Sequence, residues 1–306
     1  MKLPKPVVVL GLVGLLLLDM VLIVWALWPA SPSSTTALSP LATGAAEPTP
    51  AGGGLNSSVT PDLGALPRGS RLVSATSSAD AWLAEAGACG QPGRLFVTST
   101  GGDEWSEQSL PGSVTRLRPS DGSSAFIVGG DEDCQARVWY TGDGGASWSP
   151  PQSAEEAWGR DPDDARIVLR PGGAPAQPCE DQEVLDVVGL AGASTVLCAD
   201  GRIRASSDRG ESWATNDRRS GLLALSLAEL GRGAAAGVED GCRGVAVHPL
   251  VDGRLGESSC VETSTPSGPV AISVAPGAVW LIVGDEVLRA DSLDAPFSVV
   301  SPWPGA

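Results

Sequence analysis

The segment Ser206-Ser207-Asp208-Arg209-Gly210-Glu211-Ser212-Trp213 reads S-x-D-x-G-x-x-W, and two other segments are variants of the same pattern. Residues 141–148 read T-x-D-G-G-x-S-W. Residues 98–105 keep the first hydroxyl, the Gly and the Trp, but carry Thr100 where the other two have Asp. A turn motif that recurs within one chain predicts a repeat architecture.

The residue types of this motif suit a β-hairpin turn. The Asp can accept backbone N–H bonds from residues further along the turn, and the Gly can adopt the positive φ that closes it. The first hydroxyl can add a second side-chain-to-backbone bond, and the Trp can pack beneath the turn. The predicted turn residues are Thr98, Gly102, Trp105, Thr141, Asp143, Gly145, Trp148, Ser206, Asp208, Gly210 and Trp213.

These three segments resemble the Asp-box, or BNR repeat, of β-propellers such as the sialidases, the sortilin-type receptors and the photosystem II assembly factors. The resemblance is close at the turns and loose over the rest of the chain. It implies an all-β, WD40/YVTN/BNR-like β-propeller. In those families the Asp-box is structural and lies away from the ligand face, so we expect these residues to stabilise the fold rather than to catalyse.

Residues 68–306 read as short strands broken by turns, as expected of an all-β domain in a chain with 39 Gly and 25 Pro. Trp105 and Trp148 lie about forty residues apart, the size of a four-stranded propeller blade. This spacing predicts about six blades, with seven possible, of which the third (157–178) is abbreviated. Residues 222–230 fit either a strand or a short helix.

Closure of the predicted ring is expected to involve the segment around residues 63–66, which can add a strand to the last blade. A ring is favoured physically because it leaves few sheet edges open to other chains. A β-sandwich is the alternative fold, but it does not explain turns that recur at this pitch.

The N-terminal part differs from the rest in composition. Residues 6–28 are apolar and long enough to span a bilayer as a helix. Lys2 and Lys5 precede them, so residues 1–5 are expected to stay in the cytoplasm. Asp19 is either a tolerated acid or a helix–helix contact. We favour an uncleaved signal anchor over a cleaved signal peptide, because the apolar run is long.

Residues 29–67 are rich in Pro, Ser, Thr, Ala and Gly and hold few large apolar side chains. Such a segment predicts an extended linker. The residue usage, rich in Gly, Ala and Arg and poor in Lys, Asn and Ile, is typical of a high-GC bacterium. We therefore expect a single-pass protein of the cell membrane, with residues 68–306 as an extracytoplasmic domain.

All six cysteines lie beyond the predicted membrane segment, which indicates disulfides. Six cysteines allow fifteen pairings, and the sequence does not select one. The favoured pairing is Cys179–Cys198, Cys242–Cys260 and Cys89–Cys134, because the first two close short loops. Zinc binding is disfavoured, since the chain has no C-x-x-C pair and only one histidine.

The formal net charge is −16, and no basic face is visible. Nucleic acid is therefore a poor candidate partner, and anionic lipid headgroups are unsuited to the globular domain. No motif indicates a cofactor or a metal. The cluster Asp131-Glu132-Asp133 offers oxygen ligands for calcium, but it lacks the alternating spacing of a dedicated loop, so a polar hairpin loop is favoured.

Enzymatic chemistry finds little support in the sequence. A sialidase needs a tyrosine nucleophile, and the only tyrosine, Tyr140, directly precedes a turn motif. A Ser-His-Asp triad would require His248, which no G-x-S-x-G motif accompanies. A glycosidase needs two facing carboxylates. The acids considered for that role, none of which stands out by spacing, are Glu155, Glu156, Asp163 and Asp164.

The sequence therefore predicts a non-catalytic binding or assembly scaffold for a protein or a cell-envelope glycan. Propellers usually bind ligands with the loops around one mouth of the central channel. The candidate loops are those around Asp131, at residues 171–181 and at residues 239–243. The alternative function is a hydrolase that acts on surface glycans.

Overall fold

The structure is a computed structural model that describes residues 71–190, 192–229, 231–264 and 268–305. Within these ranges the chain forms β-strands joined by turns, with a single turn of 3-10 helix at Ala154–Glu156. The predicted membrane segment (6–28), the linker (29–67) and the closing strand near 63–66 lie outside the described residues. No helix in the described ranges is long and apolar enough to cross a bilayer.

The first two blades are four-stranded antiparallel sheets whose strands pair in chain order. The strands of the first blade are β1 (Arg71–Ala75), β2 (Ala81–Glu85), β3 (Arg94–Thr98) and β4 (Ser106–Ser109). Those of the second blade are β5 (Arg116–Pro119), β6 (Ala125–Gly130), β7 (Ala136–Thr141) and β8 (Gln152–Ser153).

A two-stranded hairpin follows the second blade. It consists of β9 (Gly159–Arg160) and β10 (Val168–Leu169). The prediction that residues 157–178 form an abbreviated blade is wrong. Turn-forming residues at 161–164 and 171–173 confine the extended backbone to strands of two residues, which are too short to supply an inner strand.

Three further blades complete the described residues, and the fourth contains a broken outer strand. The third blade has β11 (Val184–Leu190), β12 (Ala193–Cys198), β13 (Arg202–Ser206) and β14 (Ala214–Arg218). The fourth has β15 (Leu222–Glu229), β16 (Arg232–Gly237), β17 (Gly244–Val251), β18 (Arg254–Leu255) and β19 (Ser259–Glu262). The fifth has β20 (Val270–Ala275), β21 (Ala278–Val283), β22 (Glu286–Ala290) and β23 (Ser298–Pro302).

The described residues therefore form five blades, and the prediction of about six is corrected. The ambiguous segment after residue 221 is strand β15 rather than a helix. Apolar residues in β15 do not alternate with polar ones, because the inner and second strands of a blade are covered on both faces by the neighbouring blades. The same cause makes all six residues of β21 buried, whereas the outer strand β14 is mostly exposed.

The hydrophobic core lies between neighbouring blades rather than in one central mass. Separate clusters join the first blade to the second, the third to the fourth, the fourth to the fifth, and the fifth back to the first. Between the second and third blades, Trp158 and Val168 of the hairpin segment form a cluster with Val184 and Val196. The hairpin acts as a packing layer at this junction, and the whole arrangement is a closed β-propeller.

The ring closes through side chains, since the first and fifth sheets contain only their own consecutive strands in the described ranges. The fully buried Trp280 donates its indole N–H to the carbonyl oxygen of Ser77 at 3.1 Å. Trp303 donates to the Glu85 carboxylate at 3.0 Å. The guanidinium of Arg71 stacks on the Trp303 ring, with its central carbon 4.1 Å from the ring centroid.

Candidate functional site

The order of the strands assigns every connection to one of two faces. In an up-and-down meander, the turns between first and second strands and between third and fourth strands lie at one end. We call this end the turn face. The second-to-third connections and the links between blades lie at the opposite end, the loop face. The three repeated motifs connect third to fourth strands in the first three blades, so they lie on the turn face.

The turn at residues 141–148 is held by the side chains that the motif specifies. Thr141 donates its hydroxyl to the Asp143 carboxylate at 2.8 Å and accepts the N–H of Gly145 at 3.0 Å. Asp143 also accepts the backbone N–H of Ser147 at 2.9 Å and its hydroxyl at 2.5 Å. These bonds, the Ser147 hydroxyl foremost, hold the pKa of Asp143 at about 2.

The turn at residues 206–213 repeats this pattern. Ser206 donates to Asp208 at 2.7 Å and accepts the Gly210 N–H at 2.8 Å, and Asp208 accepts both the N–H and the hydroxyl of Ser212. These bonds, led by that from the Ser212 hydroxyl, hold the pKa of Asp208 well below its usual range.

The first copy of the motif uses a hydroxyl in place of the carboxylate. Thr98 accepts the N–H groups of Thr100 and Gly102, at 3.1 and 3.2 Å. Thr100 in turn accepts the Glu104 N–H at 2.9 Å. A threonine oxygen therefore makes one of the backbone contacts of the missing Asp.

The fifth-position glycine of each motif lies against the preceding layer of the ring. Gly102, Gly145 and Gly210 all have positive φ. A Cβ at Gly102 would lie 2.9 Å from Val300 of the fifth blade, and one at Gly145 would lie 2.7 Å from Leu95 of the first blade. The repeated motifs therefore also pack neighbouring blades together.

The motif tryptophans make corresponding contacts with the same preceding layers. Trp105 packs edge-on against Trp280, with ring centroids 6.2 Å apart. Trp213 packs edge-on against Trp158 of the hairpin segment at the same distance. Trp148 packs against the cluster between the first and second blades and donates its indole N–H to the Ser109 carbonyl at 3.1 Å.

These carboxylates predict an acid-sensitive stability. A lowered folded-state pKa means that the contribution of Asp143 is fully present above the unfolded-state pKa of about 3.9 and is lost as the pH falls through its folded-state pKa. We expect the urea midpoint to fall between about pH 4 and pH 2, and less steeply in the Asp143→Asn, Asp208→Asn double variant. Glu132→Gln, which removes a charge from an exposed loop, should leave the slope unchanged. An equal slope in the double variant and the wild type would contradict this assignment.

The six cysteines lie at loop-face ends of strands or in loop-face connections. They form three disulfides, in the pairing that the sequence favoured: Cys89–Cys134, Cys179–Cys198 and Cys242–Cys260. The first bond links the second-to-third connections of the first two blades. The second ties the segment that leads into β11 to the end of β12. The third ties a connection of the fourth blade to its outer strand.

The candidate loops around Asp131 and at residues 239–243 also lie on the loop face, whereas the 171–181 segment begins beside the turn face, where Arg170 donates to the Arg209 carbonyl oxygen at 3.1 Å. In the first of them, the Asp131 carboxylate accepts the N–H groups of Asp133 and Gln135 and an Arg137 N–H at 2.8 Å. The Arg137 bond is the main cause that lowers the pKa of Asp131. Asp131 therefore caps a polar hairpin. In the described ranges, no group of three or more His, Cys, Asp or Glu side chains is placed to hold a metal ion.

The loop at residues 239–243 is anchored by Glu239. Its carboxylate accepts the Ser258 hydroxyl at 2.6 Å and an Arg219 N–H at 3.0 Å, and it lies 3.6 Å from Nε2 of the buried His248. The Ser258 bond is the main cause that lowers the pKa of Glu239. In the 171–181 loop, Ala176 forms a bridge with Val168 of β10.

The acids and the tyrosine considered for catalysis occupy separate places. Tyr140 lies on β7 with 48% of its surface exposed. Asp164 forms an ion pair with Arg166 at 2.6 Å, which holds its pKa at about 2. Glu155 and Glu156 belong to the 3-10 turn after β8, and Asp163 lies in the turn between β9 and β10.

The central channel is lined by the five inner strands β1, β5, β11, β15 and β20, and sequence reasoning did not identify its lining residues. The channel encloses about 500 Å³. Side-chain acceptors on inner strands receive backbone N–H groups of the next blade. Asp186 accepts from Leu225 at 3.0 Å, Ser226 from Val274 at 2.9 Å, and Ser273 from Ala75 at 2.9 Å. The signal in the sequence is a polar residue flanked on both sides by apolar residues in each of these strands.

The series is interrupted between the first and second blades. In the first blade Ser74 of β1 lies opposite Trp82, just as Ser273 of β20 lies opposite Trp280 in the fifth blade. Ser74 therefore occupies the acceptor position of the first blade. The donor expected from the second blade falls at Pro119, which has no N–H. At the next junction the buried Arg116 donates instead, to the carbonyl oxygens of Trp158 at 2.6 Å and of Gly189 at 2.7 Å.

Comparison with known proteins supports the fold alone. No protein-family model and no curated protein sequence matches the chain. A mutant of the Aleuria aurantia lectin, in complex with Fucα1-6GlcNAc, has a TM-score of 0.51 at 11% identity, covering 78% of this chain and 96% of the lectin. The chain is a β-propeller. No closer family assignment follows from a likeness at this level of identity.

Two other solved structures show weaker likeness. YCF48 bound to D1 peptide has a TM-score of 0.33 at 19% identity, covering 78% of this chain and 70% of that one. The Niastella koreensis GH74 enzyme has a TM-score of 0.41 at 13% identity, covering 74% of this chain and 46% of that one. The chain therefore spans less than half the length of this enzyme.

Proposed function

We propose that this propeller is a binding or assembly scaffold without catalytic activity, and that its loop face contacts a protein or a glycan of the cell envelope. The observation that carries the proposal is the position of the disulfides. All three fasten connections or strand ends of the loop face, whereas the turn face is held by hydrogen-bonded turns. Loops fixed in advance lose less conformational entropy on binding.

We further propose that the domain lies outside the cytoplasmic membrane, anchored by residues 6–28 through the linker at 29–67. The support for this location is chemical. Disulfides persist in oxidising compartments and are rare in the cytosol, and three disulfides use every cysteine of the chain. The anchor itself is supported by the apolar composition of its sequence.

Photocrosslinking of the full chain in its own membrane tests the choice of face. A photoreactive amino acid would replace Glu132 or Asp240 on the loop face, and Ser123 or Asp294 on the turn face as matched controls, all four exposed. We expect a discrete adduct from the loop-face positions only. Adducts of equal yield from the turn face, or none from the loop face, would contradict the proposal.

A separate assay tests the absence of catalysis. Purified full-length protein would be incubated with polysaccharide from the envelope of the producing cells, and new reducing ends would be measured. We expect no release above that of heat-denatured protein. Sustained release by the native protein would instead support the glycan-acting hydrolase.

A further inference from the structure

The strongest unexplained feature of the described residues is an excess of positive charge in the central channel. Its charged lining residues are Arg71, Arg116, Arg118, Asp186 and Glu229. Two of them are paired outside the lining, Arg71 with Asp285 at 3.0 Å and Glu229 with Arg232 at 3.6 Å. Two arginines therefore face one carboxylate, in a chain whose net charge is −16.

The remaining carboxylate is already engaged. Asp186 accepts the N–H groups of Val187 and Leu225, and burial raises its pKa. Arg160, which donates to the Val184 carbonyl oxygen at 3.2 Å, also interacts electrostatically with Asp186, and Glu183 offsets a further part of its charge. Asp186 therefore does not neutralise both channel arginines.

Arg118 is the cation left over. Both terminal nitrogens of Arg116 donate hydrogen bonds to backbone carbonyl oxygens. Among the residues that the structure describes, no carboxylate or carbonyl pairs with Arg118, although its side chain is half-buried. Burial, together with repulsion from the Arg118 guanidinium two positions along β5, lowers the pKa of Arg116 to about 10.

We propose that the channel binds a small oxyanion, such as a phosphate or carboxylate group of a ligand, and that Arg118 is its principal contact. A planar guanidinium matches such a group with two parallel N–H bonds. Ser74 belongs to the same lining, and its hydroxyl supplies a further donor. This site is separate from the loop-face surface, and either proposal can fail without the other.

The test is an NMR titration of the full-length protein with inorganic phosphate, read by 31P line broadening, and with succinate, read by saturation transfer, both at constant ionic strength. We expect one or both anions to bind the wild type, and Arg118→Gln to weaken binding at least about tenfold. Arg243→Gln, the same charge change at an exposed position, should bind as the wild type does. Arg118→Lys should retain part of the affinity.

The two anions distinguish the chemical class of the oxyanion that the channel binds. Binding of phosphate alone would indicate a phosphate ester, and binding of succinate alone would indicate a carboxylate. Absence of binding by both, or equal binding by wild type and Arg118→Gln, would overturn the site. Stability provides a second readout. An unpartnered Arg118 predicts that Arg118→Gln unfolds at the same or a higher urea concentration than the wild type, and a marked fall would show that Arg118 has a structural partner instead.

Discussion

Replacing Trp280 with alanine is expected to destabilise the domain by about 3–5 kcal/mol, the usual cost of truncating a buried large aromatic side chain. Trp280 is fully buried between the fifth and first blades, contacts Trp105 edge-on and donates to the Ser77 carbonyl. The substitution therefore leaves a cavity and removes a hydrogen bond at the junction that closes the ring. Urea unfolding followed by tryptophan fluorescence and circular dichroism measures the effect.

The matched control is Tyr140→Ala, which truncates a half-exposed aromatic on β7. Its expected cost is below about 1 kcal/mol, as for surface positions generally. If Trp280→Ala unfolded at the same urea concentration as Tyr140→Ala, the junction between first and fifth blades would not contribute to stability as described.

Removal of the Cys89–Cys134 disulfide is the second large effect that we expect. The bond spans 45 residues and joins two blades, and the chain-entropy model assigns about 4 kcal/mol to a loop of this length. The Cys89→Ser, Cys134→Ser variant should therefore unfold at a clearly lower urea concentration. The cavity of about 520 Å³ beside these loops, lined in part by Trp139 and Trp148, should become more accessible to solvent.

The Cys242→Ser, Cys260→Ser variant is the control for the length of the loop. Its bond spans 18 residues within the fourth blade, and the same model gives about 3 kcal/mol. A larger loss for this variant than for the bond between blades would contradict the view that Cys89–Cys134 restrains two blades against each other.

The local parts of the fold were predictable from the sequence because they depend on neighbouring residues. The turns at residues 141–148 and 206–213 form with the side chains that their motif specifies, since an Asp, a hydroxyl and a Gly within five residues satisfy the turn by themselves. The two short-range disulfides could be anticipated for the same reason. Their cysteines lie 18 and 19 residues apart.

The number of blades was not predictable in this way. Residues 166–169 have a strand-like composition, but whether a strand reaches the channel depends on the space left by its neighbours. Here Trp158 fills the junction between the second and third blades, so the hairpin packs as a layer and contributes no inner strand. The spacing of the tryptophans does not distinguish such a layer from a short blade.

The channel residues were missed for a related reason. In the sequence, Arg116 and Arg118 are two ordinary charges in a short strand. Their surroundings come from β11 and the hairpin segment, which are far along the chain and meet them only when the ring has closed. Pro119 lacks the backbone N–H that would donate to the first blade, and this absence is recognisable only when its position beside that blade is known.

In the described residues, five blades close into a ring through side-chain contacts between the first and the fifth. Cysteines placed at Ser78 and Asp291, exposed turn-face positions near the Arg289–Ser78 hydrogen bond of 2.8 Å, can be joined by a short flexible bismaleimide. We expect rapid crosslinking within one chain, and much slower crosslinking between cysteines at Ser123 and Asp291, which belong to blades that are not neighbours. Equal rates for the two pairs, or no intramolecular product from the first, would contradict a five-bladed closed ring.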